Sequence, residues 1–107
     1  MFSLQKTGEG YYLATLRSSH SVLKRADSTH LKHLLSDVIK AHREISVNIK
    51  GIRSIEKEAY SILEDIKQHA DAKKCKIKFI NVDPQVFPAI KKLLAKKVQL
   101  QDELEQV

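Results

Sequence analysis

The chain has 107 residues, of which 42% are hydrophobic, which is enough for one compact core but not for two domains. Its single cysteine excludes an internal disulfide, and no run approaches the roughly 20 apolar residues that a membrane-spanning helix needs. The first residues lack the pattern of a secretory signal, so we expect a cytoplasmic protein without membrane insertion. The net charge of +6 is compatible with nucleic acid, anionic lipid or an acidic protein as the partner.

The first third of the sequence predicts a β-hairpin followed by a helix. Residues 2–6 and 10–16 are short extended segments, and the two glycines of the intervening TGEG permit a tight turn. Asp27 or Ser28 then stands where a helix N-cap is expected. Apolar residues at helical spacing follow, and they predict the first helix: Leu31, Leu34, Leu35, Val38 and Ile39.

The rest of the sequence alternates strands and helices. EISVNI, residues 44–49, alternates apolar and polar side chains, as a strand with one covered face does. Residues 56–72 carry one apolar helical stripe, and KIKFINV, residues 76–82, predicts another strand. Asp83 as N-cap and Pro84 at the first helical position predict a third helix, whose start we expect to be irregular because Pro88 lacks a backbone donor.

The element order ββαβαβα predicts an α/β fold, in which helical crossovers connect parallel strands and the hairpin adds antiparallel pairing. We expect a single small domain over residues 1–107, with a C-terminal helical extension at about 98–107. A heptad seam leads through this extension, and its acidic residues follow four lysines of the third helix. The seam predicts a weak homodimer of antiparallel helices, and the alternative is that the tail packs on its own domain.

Catalytic and metal-binding motifs are missing from the sequence. His30 and His33 stand three residues apart on the first predicted helix, but His42 is too far along the chain to complete a metal site with them. No serine, cysteine or lysine lies in a nucleophile motif, and there is no glycine-rich phosphate loop. Cys75 is most simply a lone thiol at a strand entrance. We therefore predict a protein that is not an enzyme and binds neither a metal nor a cofactor.

Lysines cluster around the last predicted strand and on the third helix, at Lys73, Lys74, Lys76, Lys78, Lys91, Lys92, Lys96 and Lys97. A phosphate-binding face would use such clusters, so a small basic nucleic-acid-binding α/β protein is the alternative function. Lys76 and Lys78, however, alternate with Ile77 and Phe79, which is typical of a half-exposed or edge strand. Only Phe79 is an aromatic residue interleaved with these lysines, so a solvated basic face is the favoured interpretation.

Two stretches, NIKGIRSIEKEA at residues 48–59 and FINVDPQVFPAIKKLL at residues 79–94, together with the element order, resemble the STAS domain. This family is named for sulfate transporters and anti-sigma factor antagonists. The resemblance covers about residues 10–95 and implies a STAS-like mixed sheet with helices. It also implies a noncatalytic role in binding another protein.

The family pattern places Asp-Ser-Ser-Gly at the start of the second helix. In bacterial anti-sigma factor antagonists of the family, the second serine is phosphorylated by a partner kinase. Here Glu56, Lys57, Glu58 and Ala59 occupy these four positions, so Glu58 stands at a degenerate phosphoacceptor position. Asn48 also replaces an aspartate expected in the preceding strand. We therefore predict that the chain is not switched by phosphorylation at the family site, whereas Ser54 and Ser61 flank it with hydroxyl groups.

Two interpretations of Glu58 remain open. A carboxylate in the first helical turn is stabilised by the helix dipole by about 0.3–1 kcal/mol, so Glu58 has a sufficient role as part of a helix start. Alternatively, it permanently supplies a charge of about −1 where a phosphoserine would supply about −1.5 to −2.

The resemblance implies a regulatory or scaffolding module similar to anti-sigma factor antagonists. Its protein partner is expected to be an anti-sigma-type kinase. A related alternative is the STAS subunit of a bacterial lipid-transport ATPase complex, bound to a transporter subunit. The expected partner-binding residues lie in the loop and first turns before and within the second helix: Gly51, Ile52, Arg53, Ser54, Glu56, Lys57, Glu58 and Ser61.

Overall fold

A computed structural model describes residues 1–17 and 20–95 of the chain. The predicted extension at 98–107, with its heptad seam and homodimer, lies outside the described residues, as do Lys96 and Lys97. The elements in chain order are β1 (Phe2–Gly8), β2 (Tyr11–Leu16), β3 (Val22–Leu23), α1 (Arg25–Leu35), β4 (Glu44–Asn48), β5 (Ser54–Ile55), α2 (Lys57–Ala72) and β6 (Lys76–Ile80). A third helix, α3, occupies residues 87–95 of the described chain.

The main sheet has four strands in the order β1-β2-β4-β6. β1 pairs antiparallel with β2 through a turn in which Gly10 has a φ of +79°, a value that glycine adopts without steric cost. β2, β4 and β6 are parallel to one another. The predicted α/β class, the hairpin and the parallel pairing are therefore confirmed. The short strands β3 and β5 form a separate parallel pair that the sequence pattern did not predict.

The helices cover the more apolar face of the sheet. Ile45 and Val47 of β4 are 0% and 1% exposed, while Ser46 between them is half-buried. The register places Ile77 of β6 beside Ile45, so the apolar side chains of neighbouring strands share the covered face. α1 contacts both α2 and β1, and α2 contacts β6. One continuous core therefore lies between the sheet and its helices.

The start of α1 differs from the prediction that Asp27 or Ser28 is its N-cap. The helix begins at Arg25, with Lys24 in the N-cap position. Asp27 acts from inside the first turn, where its carboxylate accepts a hydrogen bond from the Lys24 N–H at 3.1 Å. Ser28 is 0% exposed and faces the core. At this earlier start, the carboxylate of Glu56, which is distant in sequence, accepts a hydrogen bond from the Arg25 N–H.

The helical spacing of apolar residues also extends beyond the regular end of α1. The helix ends at Leu35, and Val38 and Ile39 then each donate a backbone hydrogen bond to the Leu35 carbonyl. This single turn keeps Ile39 in the core at 4% exposure. Periodicity thus identified the buried residues correctly but not the helix end, because an isolated turn preserves the same spacing.

The third helix starts irregularly, as predicted, although Pro84 is not its first regular residue. Residues 84–86 form a turn, and the regular helix begins at residue 87. Asp83 still organises this start, because its carboxylate accepts from the Gln85 N–H and its carbonyl accepts from Val86 and Phe87. Pro88 follows immediately and has no N–H to extend the pattern.

The N-terminus is tied to α1 by polar contacts around a buried side chain. The Met1 ammonium lies 3.0 Å from the Asp27 carboxylate, and the Phe2 N–H donates to His30 Nδ1 at 3.0 Å. Phe2 itself is 3% exposed. Partial burial opposes ionisation of Asp27, but the hydrogen bonds and charges of the Met1 ammonium and Lys24 outweigh it, so the pKa of Asp27 lies below its ordinary value of 3.8.

We predict that Asp27→Asn lowers the free energy of unfolding at neutral pH by about 1 kcal/mol. The amide keeps an acceptor for Lys24 but removes the charge that pairs with Met1. Because the pKa of Asp27 is depressed by folding, its contribution is complete above the pKa of the unfolded chain and is lost as the pH falls through the pKa of the folded protein. The free energies of unfolding of the two proteins, measured in urea, should therefore converge as the pH falls from neutral to acidic. The exposed control Asp37→Asn should change this free energy little at any pH. A constant difference across this range would contradict the assignment.

Candidate functional site

The predicted partner-binding segment lies at the edge of the sheet where the parallel strands end. β2, β4 and β6 run in the same direction, so the described segments that follow them, residues 20–24, 49–56 and 81–86, meet at the same edge. All three helices begin there for the same reason. We call this side of the molecule the carboxyl edge. In open α/β sheets, the carboxyl ends of the strands are the usual place for binding sites.

The loop containing Gly51 is fastened to the loop before α1. Val22 and Leu23 pair with Ser54 and Ile55 in the β3–β5 ladder. Three further backbone hydrogen bonds extend this ladder at both ends: Arg53 and Ser54 donate to Ser21, and Glu56 donates to Leu23, at distances of 2.7, 3.2 and 3.0 Å. The two loops therefore form one backbone framework.

Gly51 and Ile52 shape the turn that leaves β4. Gly51 has a φ of +89°, which disfavours any side chain, although an added Cβ would meet no atom within 4 Å. The Ile52 N–H donates to the Ile49 carbonyl at 3.1 Å, and the Ile52 side chain is 1% exposed. Ile52 was predicted as a partner-binding residue, but the structure places it in the core. Its buried side chain anchors the loop. The sequence alone did not show that the turn directs this side chain inward.

Glu56 joins the starts of two helices. Its backbone has the extended conformation of the N-cap of α2, and its carbonyl accepts from the Tyr60 N–H at 2.9 Å. Its carboxylate accepts a hydrogen bond of 3.0 Å from the N–H of Arg25, the first residue of α1. Two helix N-termini thus use different groups of one residue. Glu56 has a structural role that the family-based alignment did not indicate.

The remaining predicted residues are exposed around this framework. Arg53, Ser54, Lys57, Glu58 and Ser61 all present their side chains to solvent, whereas Ala59 is 0% exposed and packs in the core. Lys57 and Ser61 are four residues apart and share one face of α2. Glu58 is the acidic residue of the first turn, where the helix dipole stabilises a negative charge.

An asparagine pair that the sequence analysis missed connects the ends of two strands. The Asn48 side-chain oxygen accepts hydrogen bonds from the Lys50 N–H and from Asn81 Nδ2, each at 3.1 Å. Asn81 follows β6 and has a φ of +56°, a left-handed conformation that asparagine tolerates better than most residues. An asparagine directly after a predicted strand was the available signal. The pair fixes the β4 and β6 ends of the carboxyl edge relative to each other.

The histidine, cysteine and lysine residues weighed in the sequence analysis make contacts within the fold. His30 uses Nδ1 as the acceptor for the Phe2 N–H, and residues 1–17 and 20–95 contain no group of three side chains placed to hold a metal ion. Cys75 is 3% exposed, and its burial raises the pKa of the thiol. Lys76 and Lys78 both approach the carboxylate of Glu44, at 3.7 and 3.6 Å, on the edge strand β6. The predicted edge position of these lysines is therefore confirmed.

Comparison with known proteins gives a fold likeness. The sequence matches no family model, and no curated protein matches it. A solved structure titled "Crystal Structure Analysis of Mglu" is similar to this chain with a TM-score of 0.63 and 11% sequence identity. The similarity covers 77% of this chain and 20% of that one, so the chain spans about a fifth of the length of this neighbour. No helix in the described part of the chain is long and apolar enough to cross a membrane.

We predict that Glu56→Ala destabilises the fold more than Glu58→Ala does. The first substitution leaves the Arg25 N–H without its acceptor, and losing such a cap typically costs about 1 kcal/mol. The second removes only a dipole contribution from an exposed first turn, at about 0.5 kcal/mol. Urea unfolding followed by circular dichroism measures both. Equal losses would show that the Glu56 carboxylate does not support α1 in solution.

Proposed function

We propose that the chain is a noncatalytic, STAS-like regulatory or scaffolding module that binds a protein partner at its carboxyl edge. The partner-binding residues in this proposal are Gly51, Arg53, Ser54, Lys57, Glu58 and Ser61. Ile52 and Glu56 hold the segment in place: the Ile52 side chain packs in the core, and the Glu56 carboxylate accepts a hydrogen bond from the Arg25 N–H.

The observation that carries the proposal is the rigid attachment of this exposed segment. The β3–β5 ladder and the Glu56 contact hold the backbone from Arg53 to Lys57 in one conformation, while the side chains of Arg53, Lys57 and Glu58 stay exposed. A surface that is ordered before binding loses less conformational entropy when a partner docks. Such a preorganised surface suits the recognition of a folded protein.

The STAS resemblance in this proposal rests on the order of the elements. The parallel crossovers through α1 and α2, the Gly51 turn and the helix that starts at the family motif match the order expected of the family. Within the family, an anti-sigma-type kinase is the first partner we propose, and a subunit of a lipid-transport ATPase complex is the related alternative. In both cases Glu58 keeps a fixed negative charge where other members are modified, so partner binding would not depend on phosphorylation at that residue.

Some of the lysines near β6 pair with carboxylates of the same fold. Lys76 and Lys78 share Glu44, and Lys67 forms an ion pair with Asp71, so these lysines are partly neutralised within the fold. A phosphate-binding face needs cationic side chains that are free to neutralise phosphates, and binding then releases the counterions condensed on the nucleic acid. The nucleic-acid function therefore serves as the competing outcome of the test below.

We predict that Glu58→Ser changes the affinity for the partner at least about fivefold while changing the free energy of unfolding by less than about 1 kcal/mol. The partner is first identified by capture with the full chain from the native organism and mass spectrometry. Its affinity is then measured by calorimetry with purified proteins. Asp37→Ser is the matched control, because Asp37 is exposed after α1 and away from the carboxyl edge.

Two results would contradict the proposal. One is an equal effect of Glu58→Ser and Asp37→Ser on the affinity for the captured protein. The other is the absence of a stable protein complex together with RNA or DNA binding that falls steeply between low and moderate salt, which would identify the basic nucleic-acid-binding function instead.

A further inference from the structure

A second surface lies at the opposite end of the sheet, beside the edge strand β6. It is an open groove of about 650 Å³ between the second half of α2, the beginning of β6 and α3. Its apolar part is formed by Cys75, Ile77 and Leu94, of which Cys75 and Ile77 are 3% and 5% exposed. The residues that the carboxyl-edge proposal uses are not among those lining it. We call it the β6 groove.

No strand of residues 1–17 and 20–95 pairs with the outer side of β6 along this groove. Among the described residues, β6 is the last strand of the sheet and pairs only with β4. The Lys76 N–H donates to Arg43, and the Ile80 carbonyl accepts from Ile49, both on the β4 side. Because backbone groups alternate along a strand, those of Ile77 and Phe79 face the open edge. Such an edge can accept an added strand from another chain.

The charge along the groove is positive. Lys67, Lys74, Lys76 and Lys78 line it, with Asp71 as the acidic residue of the lining. Asp71 pairs with Lys67, and Glu44 on the neighbouring strand is shared by Lys76 and Lys78. Four lysines therefore face two carboxylates. The imbalance favours an acidic occupant.

Lys74 occupies a position where glycine would be more stable. It follows the C-terminus of α2 with a φ of +59°, and the Cys75 N–H after it donates to the Ala70 carbonyl at 2.8 Å. This is the hydrogen bond of a helix-ending motif in which the left-handed residue is usually glycine. A lysine there costs stability, yet it adds a positive charge to the groove.

We propose that the β6 groove binds an extended segment of a partner protein in which acidic and apolar residues alternate. Along β6, Lys76 and Lys78 point to the face that carries Glu44, whereas Ile77 points to the core side. A strand added beside β6 has the same alternation. Its acidic side chains would lie next to Lys76 and Lys78, and its apolar side chains would lie on the core side, beside the half-buried Leu94.

The test uses the full chain and an acetylated nine-residue peptide in which glutamate and leucine alternate. The peptide is titrated into ¹⁵N-labelled protein, and amide shifts are followed by NMR. We expect the largest shifts at Ile77 and Phe79, and a loss of affinity as salt rises. A peptide of the same composition with all glutamates before all leucines should bind at least about fivefold more weakly. Equal binding of the two peptides, or shifts centred on Gly51 to Ser61, would overturn the proposal.

Lys74→Gly separates binding from folding. We expect this variant to unfold at a higher urea concentration, because glycine suits the left-handed position, and to bind the alternating peptide about three- to tenfold more weakly. Lys50→Ala is the control, because it removes one exposed positive charge at the carboxyl edge and should leave peptide affinity unchanged. Unchanged affinity of Lys74→Gly, or an equal loss in both variants, would show that the charge of the groove does not select the peptide.

Discussion

The parallel pairing of β4 between β2 and β6 is the constraint on which the other features depend. β4 contributes Ile45 and Val47, which are nearly fully buried, and both of its edges are occupied by parallel neighbours. Parallel neighbours require long crossovers, and here each crossover contains a helix that packs on the same apolar face. The three strand ends and three helix starts consequently meet at one edge.

Long-range polar contacts complete the helix starts at that edge. A helix N-terminus leaves backbone N–H groups without partners, and local side chains usually satisfy them. In this protein, Glu56 reaches from the start of α2 to Arg25 of α1, and Asp27 of α1 binds both the Lys24 N–H and the Met1 ammonium. These contacts cross between segments that are distant in sequence. All three residues of the charged cluster Glu56, Lys57 and Glu58 are exposed, and the Glu56 carboxylate also binds the start of α1.

The positive charge of the protein is distributed over two different surroundings. At the carboxyl edge, Arg53 and Lys57 are exposed beside Glu58 and the starts of the helices. At the other end, Lys67, Lys76 and Lys78 of the β6 groove lie close to carboxylates, and the groove also has an apolar part. The carboxyl edge is a preformed polar surface that suits a folded protein partner. The β6 groove suits an extended segment that pairs with the edge strand. A net charge alone does not distinguish these modes of binding.

The sequence determined the types and order of the main elements. The period-two pattern of residues 44–49 and the helical stripe of residues 56–72 identified β4 and α2. The buried Ala59 belongs to the stripe of α2, and the buried Ile39 belongs to the apolar spacing that begins in α1. Local patterns are informative here because a strand or helix with one covered face must repeat its apolar residues with the period of its backbone. The exposed positions of Lys57 and Glu58 agree with the polar side of the same helical pattern.

Only the tertiary structure decided which distant groups meet. The two-residue strands β3 and β5 are too short to show a period, and they exist because their loops lie side by side at the carboxyl edge. The start of α1 at Arg25, the burial of Ile52 and the Asn48–Asn81 hydrogen bond likewise depend on neighbours from other segments. Hydrogen bonds and packing between segments are set by the geometry of the assembled sheet, so no local window of the sequence contains them.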